Sequence, residues 1–332
     1  MADAIALDED AAAARDWHHS LHSAVCDTLT PWEHGTVVRA SRYPGYFDYN
    51  VVRVERDTQI GFAELAAVAD RALDGLAHCR VDFDLAVTAE RVRTDFEAHG
   101  WRATRLLWMR QRSPAPSPDG VLVQAVDYDA VQRLRVTWHR EDFEITLGEQ
   151  DSYSAQSREL ALSRGARVLA VLEHDRPIAF TQSVTVGEAA EITHVYVDPE
   201  HRGRGLGTAI TCAAIAAARG ARDLWICADD EDRPKELYAR LGFAPARTLT
   251  ELLRVARRAR SAPARPQTRN GAVASATTAR LLVGAASTHV RPERTSVTTE
   301  SPDVLNTCIA TPYATTVLVL AGSATGLPEN TV

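Results

Sequence analysis

The stretch Glu191-Ile-Thr-His-Val-Tyr-Val-Asp-Pro-Glu-His-Arg-Gly-Arg-Gly-Leu-Gly-Thr208 joins a strand-like apolar run to a loop dense in glycine and arginine. Glycines at 203, 205 and 207 let the backbone approach a ligand closely and aim successive N–H groups at it. A helix opening behind them adds unpaired donors and a dipole that favours anions. Arg202 and Arg204 can add charge-assisted bonds to phosphate oxygens. The pattern is a pyrophosphate cradle. It is not a dinucleotide fingerprint, which needs Gly-x-Gly-x-x-Gly and a later acidic residue. Nor is it a phosphate loop ending in Gly-Lys-Ser/Thr, because the only lysine in the chain is Lys235.

The spacing of Arg202, Gly205 and Gly207 resembles the coenzyme A loop of the GNAT family of N-acetyltransferases. A second motif, Leu237-Tyr238-Ala-Arg-Leu-Gly242-Phe243, matches the helix that ends later in that family, in order and in spacing. The resemblance covers residues 121–254. It implies an α/β acyl-CoA N-acyltransferase fold with a mixed sheet, acetyl-CoA as co-substrate, no metal, and direct attack by a primary amine on the thioester.

The resemblance also assigns roles. Backbone amides of Arg202, Gly203, Arg204, Gly205, Leu206 and Gly207, with Thr208, would hold the pyrophosphate. The strand ending in Val195, Tyr196 and Val197 would splay from Leu224–Ala228, and its free backbone groups would hold the pantetheine arm and polarise the thioester carbonyl. Tyr238 matches the position that protonates the departing thiolate in many members. Glu191 and His194 are candidates to deprotonate the amine, directly or through water; a solvated strand end and a packing histidine are the plainer alternatives. Where many relatives carry Asn before the last helix, this chain has Asp229, Asp230 and Asp232, which leaves that cofactor contact open. A non-catalytic acyl-CoA-binding sensor or scaffold is the alternative from another class, and transfer of a longer acyl group stays open too.

These residues need elements to position them. Strands are expected at 35–40, 49–54, 80–83 and 105–110, with helices at 16–29, 62–76 and 89–99. Pro31 is expected to stop the first helix. The second half reads as strand 121–126, helix 129–140, a less regular helical stretch 150–164, strands 168–173, 178–186 and 192–197, helix 207–219, strand 224–228 and helix 234–241. Both halves end a helix with an aromatic-x-x-x-Gly-aromatic signature, Phe96 to Trp101 and Tyr238 to Phe243. The shared order points to a duplication whose first copy, 17–112, lacks the glycine loop. Residues 1–16 read as a flexible leader, 113–120 as a Pro-rich linker, and 255–332 as a low-complexity, disordered tail.

Composition narrows the classes. A net charge of −7 argues against a nucleic-acid partner held by overall field. Five scattered cysteines, with no Cys-x-x-Cys pair, fit a reducing cytoplasm. No apolar run is long enough for a membrane span. His18, His19 and His22 include an i, i+4 pair, read as a solvated cluster since no third metal ligand stands out. Trp17, Trp32, Tyr43, Tyr46, Phe47 and Tyr49 read as core, or as an apolar wall facing the second half's acceptor site. The acceptor is a small-molecule or peptide amine, and oligomeric state is not readable.

Overall fold

Alternating apolar residues such as Cys79, Val81 and Phe83 make strands whose opposite faces meet different helices. In the computed structural model, which describes residues 2–116, 120–143 and 147–255, these strands build one mixed eleven-stranded sheet. The first half supplies α1 (Ala2–Val25), β1 (Thr28–Trp32), β2 (Gly35–Arg39), β3 (Val51–Val54), α2 (Phe62–Ala72), β4 (His78–Phe83), α3 (Ala86–Ala98) and β5 (Arg102–Gln111). The second supplies β6 (Gln124–Val126), α4 (Gln132–Phe143), α5 (Leu147–Arg164), β7 (Arg167–Glu173), β8 (Arg176–Val186), β9 (Ala189–Val197), α6 (Leu206–Ala217), β10 (Asp223–Asp229), α7 (Pro234–Arg240) and β11 (Phe243–Val255).

The duplication is visible in the pairing. In each half two antiparallel pairs are followed by a crossover helix and a parallel strand: β1-β2-β3, α2, β4, and β7-β8-β9, α6, β10. Each half then has a helix closed by a glycine with positive φ, Gly100 (79°) and Gly242 (92°), and a final strand.

The final strands are exchanged. Sheet order is β1-β2-β3-β4-β11-β5-β10-β9-β8-β7-β6. Thus β11 lies between β4 and β5, while β5 lies between β11 and β10, all antiparallel. The β5–β11 pair runs from Gln111–Phe243 to Arg102–Leu253, broken by a bulge at Pro245–Arg247. The boundary expected at 113–120 therefore divides the halves in sequence but not in space. Arg112 and Ser113 donate their backbone N–H groups to the Gly242 carbonyl at 2.8 and 3.2 Å, which ties the start of that linker to the end of α7.

Several further expectations are corrected. Residues 2–16 are not a leader: α1 starts at Ala2, Ala14 is fully buried, and Asp10 pairs with Arg110 at 2.6 Å and with Arg112. The first helix ends at Val25, and Pro31 lies within β1, an edge strand where its missing N–H costs no ladder bond. The histidines are not solvated: His18 and His22 are fully buried, and burial holds both well below the usual imidazole range. The tail expected from 255 lies outside the described residues except Val255, which ends β11.

One sheet face is covered by α2 and α3 over the first half and by α6 and α7 over the second. The other face packs on α1, α4 and α5, where Trp17, Tyr46 and Tyr49 of the first half meet Tyr128, Trp138 and Phe180 of the second. Of the expected aromatic crowd, Trp17, Tyr43, Tyr46 and Tyr49 are core in this layer, whereas half-buried Trp32 packs against the α2–α3 layer and half-buried Phe47 stacks on His78. Among the described residues no helix is long and apolar enough to cross a membrane.

Candidate active site

The parallel strands β9 and β10 pair from Ala189–Asp223 to Ile192–Ile226 and no further, although β9 continues to Val197 and β10 to Asp229. The sheet forks there. The cause is local: the β8–β9 register shifts between Phe180 and Gln182, and His194 takes a left-handed φ of 48°. A bulged strand bends and twists away from a straight ladder. A non-glycine residue held in that region is strained, and such strain gathers at functional sites. The splay expected between Val195–Val197 and Leu224–Ala228 is therefore present, limited to its outer part.

At the first half's equivalent pair no fork exists. β3 and β4 pair through Val54–Phe83, the last residue of each strand, and Asp84 N–H extends the ladder by donating to the Val54 carbonyl at 2.9 Å. Its loop before α2 ends in Gly61 with φ −88°, without the pair of left-handed glycines found in the second half. The first repeat is zipped shut.

Beyond β9 the chain turns at Asp198, whose carboxylate accepts from the Glu200 N–H. Gly203 and Gly205 have φ of 76° and 74°, and nothing lies within 4 Å of where a side chain would begin. Gly205 is the N-cap of α6, and the first amide to bond within the helix is Ala209, to Gly205 O at 3.1 Å. The amides of Leu206, Gly207 and Thr208 precede it and belong to the first turn, which lacks intrahelical acceptors. Here open backbone and helix dipole coincide, as an anion site requires. The arginines differ from expectation. Arg202 donates to Val197 O at 3.2 Å and to Glu141 at 2.9 Å, and Arg204 donates to Glu173 at 3.0 Å. The backbone, rather than either guanidinium, is the free element of this cradle.

The candidate proton-transfer residues fall on opposite faces of the sheet. Tyr238 is buried among Ile192, Ile226 and Leu241 on the α6–α7 face. Glu191, one position before the last paired residue, is buried on the α1 face and accepts from Trp17 Nε1 at 3.0 Å. Burial pushes its carboxyl up to about 8, and the Trp17 hydrogen bond opposes this only partly. His194 is also buried. Burial, and then the Arg135 guanidinium, holds its imidazole well below the usual range. Its Nδ1 meets Arg135 Nη1 at 3.2 Å, and since arginine can only donate, Nδ1 accepts and Nε2 carries the hydrogen. In that tautomer His194 offers a donor at Nε2, whereas Glu191 offers a carboxyl that can take up or release a proton. Asp230 is occupied by Arg105 at 2.6 Å and Lys235, while burial raises the Asp229 carboxyl.

Sequence reading missed Gln182 and Arg135, and it placed Trp17 only among the aromatics of a core or wall, not as the partner of Glu191. The signals for the first two were available. Arg135 interrupts the helical apolar stripe Val131, Leu134, Trp138, and Gln182 interrupts the strand alternation Ile178, Phe180, Val184. Trp17 lies 174 positions from its partner, and nothing local marks it.

Comparison with known proteins agrees with this geometry. Residues 130–243 match the model of the Acetyltransferase (GNAT) family. A mycothiol acetyltransferase of Actinosynnema mirum is 31% identical over 162 residues, 44% of this chain and 54% of that protein. An uncharacterized N-acetyltransferase of Methanocaldococcus jannaschii is 41% identical over 75 residues, 21% of this chain and 33% of that protein. The chain thus spans about half the length, or less, of these curated relatives. A functionally unknown conserved protein from Staphylococcus epidermidis, known from its crystal structure, superposes with a TM-score of 0.56 at 13% identity. It covers 69% of this chain and 94% of its own, which shows a shared fold. The similarity to the Acetyltransferase (GNAT) family thus lies in residues 130–243.

Proposed function

We propose that the chain transfers the acetyl group of acetyl-CoA directly to the nitrogen of a small-molecule or peptide amine. The observation that carries this reading is the fork that begins after Ile192–Ile226 and opens toward the glycine cradle at the start of α6. Pyrophosphate on the amides of 203–208 leaves the pantetheine arm to run into the fork and complete the broken β ladder with its amides. The thioester then lies in the slot, with its carbonyl near the unpaired N–H groups of Val195–Val197, where a developing oxyanion is stabilised.

The amine arrives from the α1–α4 face and Glu191, once ionised, takes its proton; a carboxyl poised near 8 suits that task close to neutral pH. Nitrogen bonds to the acetyl carbon, the carbon–sulfur bond breaks, and Tyr238 protonates the thiolate from the other face. The name of the Actinosynnema relative supports acetyl transfer as the chemistry. Calorimetric titration with acetyl-CoA, beside a Gly205→Glu variant that places a carboxylate in the cradle, tests the reading. Binding by the parent that is lost in a folded variant supports it; no binding by the folded parent would sink it.

A further inference from the structure

Among the described residues Arg135 is a buried cation without an anion. It lies on α4 within an apolar stripe, is 1% exposed, and stacks its guanidinium 4.1 Å from the Tyr128 ring and 4.7 Å from that of Phe180. Nη1 donates to His194 Nδ1 at 3.2 Å and Nη2 to Gln182 Oε1 at 2.7 Å. Both partners are neutral, and no carboxylate among the described residues pairs with it. Arg80, buried to the same degree, shows the usual arrangement: Asp48, Asp82 and Glu251 surround it. A buried guanidinium without a counter-ion is costly to the folded protein.

What the cluster lacks is specific. Because arginine only donates, it uses up the acceptors on its neighbours, Nδ1 of His194 and Oε1 of Gln182. Three atoms are left without partners: Arg135 Nε, His194 Nε2 and Gln182 Nε2. Each of them is a donor, and the three side chains are between 0 and 2% exposed. One positive charge and three sets of unused N–H bonds, with no acceptor, form one half of an ion pair. The other half is an anion rich in acceptor oxygens. The cluster also has the right place, since His194 is the bulged residue from which the fork opens, and Arg135 approaches it from the α4 face.

We propose that the acceptor amine carries a carboxylate, and that Arg135, Gln182 and His194 bind that carboxylate while the amine faces the thioester. The proposal rests on the acetyl-transfer reading and narrows its substrate class to amino acids and other amino-carboxylates. The carboxylate takes no part in bond making; it fixes where the nitrogen sits.

The test uses the full chain, saturating acetyl-CoA, and matched acceptors that differ only in the carboxylate: ornithine against putrescine, tyrosine against tyramine, glutamate against 4-aminobutyrate, with thiol release as the readout. The last pair is the exception: it removes the carboxylate beside the amine and keeps the distant one, which measures the reach between the two sites. The expected result is turnover of at least one amino acid with kcat/KM more than tenfold above its decarboxylated partner. Arg135→Met should abolish that preference by raising KM, whereas Arg135→Lys keeps part of it. Preference for the amines, equal use of both, no turnover of any amino-carboxylate, or an unchanged preference in Arg135→Met would overturn the proposal. Acetyl-CoA titration of parent and Arg135→Met separates this failure from failure of the broader reading. Binding in both with a lost preference locates the fault or the success at the acceptor side, and absence of binding in the parent removes acetyl transfer itself.

Discussion

Replacing Glu191 by glutamine separates a buried, proton-holding carboxyl from a merely polar one. Glutamine keeps an oxygen to accept from Trp17 Nε1, 3.0 Å away, but cannot ionise. Unfolded, the glutamate carboxyl releases its proton near its ordinary value of 4.5; folded, burial delays release to about 8. Between those values the native state holds one more proton than the unfolded state, so stability falls as pH rises through the window. Below 4.5 the penalty is absent, and above 8 it is complete. The interval is 8 − 4.5, or about 3.5 pH units, and at about 1.4 kcal/mol per unit the ceiling is about 5 kcal/mol. Water drawn toward the ionised group lowers that ceiling. For a protein of this size 1 kcal/mol moves Tm by about 2–4 °C, so the ceiling corresponds to roughly 10–20 °C. The assay is thermal unfolding of parent and Glu191→Gln at pH 5, 7 and 9. Other buried acids, such as Asp48, pushed up to about 7, titrate in the same window, but they act alike in both proteins and cancel in the difference. The two should melt together at pH 5, with the variant several degrees higher at pH 9. A difference that stays constant from pH 5 to 9 would refute the reasoning. In turnover the sign is opposite: parent kcat/KM should rise with pH toward about 8, and the variant should lose about 10²–10⁴-fold, the range for a removed general base.

Tyr238→Phe keeps the ring that packs on Ile192 and Leu241; thiol-release kinetics should show kcat down by about 10²-fold or more, with acetyl-CoA affinity within a factor of two of the parent by calorimetry. Gly100→Ala and Gly242→Ala both place a side chain at positive φ, a strain of about 1–3 kcal/mol, but only at Gly242 does the new carbon strike the Ser113 carbonyl oxygen. Chemical denaturation should therefore show Gly242→Ala as clearly the more destabilised, and equal losses would contradict the tie between α7 and the linker. Residues 120–255 expressed alone should not give a folded monomer, because β10 and β11 both lose the neighbour β5; co-expression with residues 1–116 should restore soluble protein that binds acetyl-CoA. A monomeric, cofactor-binding second half would show the exchange to be dispensable.

The parts of the molecule built from local signals were legible. The cradle, the helix end at Gly242, the repeat of that end at Gly100 and nearly every strand of the second half follow from spacing within a few residues. What escaped depends on distance along the chain. No strand was expected after the helix at 234–241, and nothing within Phe243–Val255 marks β4 as its neighbour. The start of α1 is acidic and alanine-rich, and only the pairing of Asp10 with Arg110 and Arg112 shows that it is anchored. The same holds at the site. Glu191 and His194 were identifiable as candidates, but their roles diverge because Trp17 and Arg135, from two other elements, decide which one holds a proton and which one donates.

The exchange of final strands has a consequence for the order in which the protein is made. When Gln111 has left the ribosome, β4 and β5 exist but the strand that belongs between them does not, and it is not complete until Val255. At about 5–20 residues per second, that interval lasts on the order of ten seconds. During it two hydrophobic strand edges stand open, and the nearest partner for β4 is β5 itself, in the pairing a single unduplicated copy would adopt. If β4 and β5 pair in that interval, β11 has to displace a neighbour rather than add to an edge. For the same reason the repeat that holds no cradle cannot be lost once the exchange is established, since it owns the strand that completes its working twin.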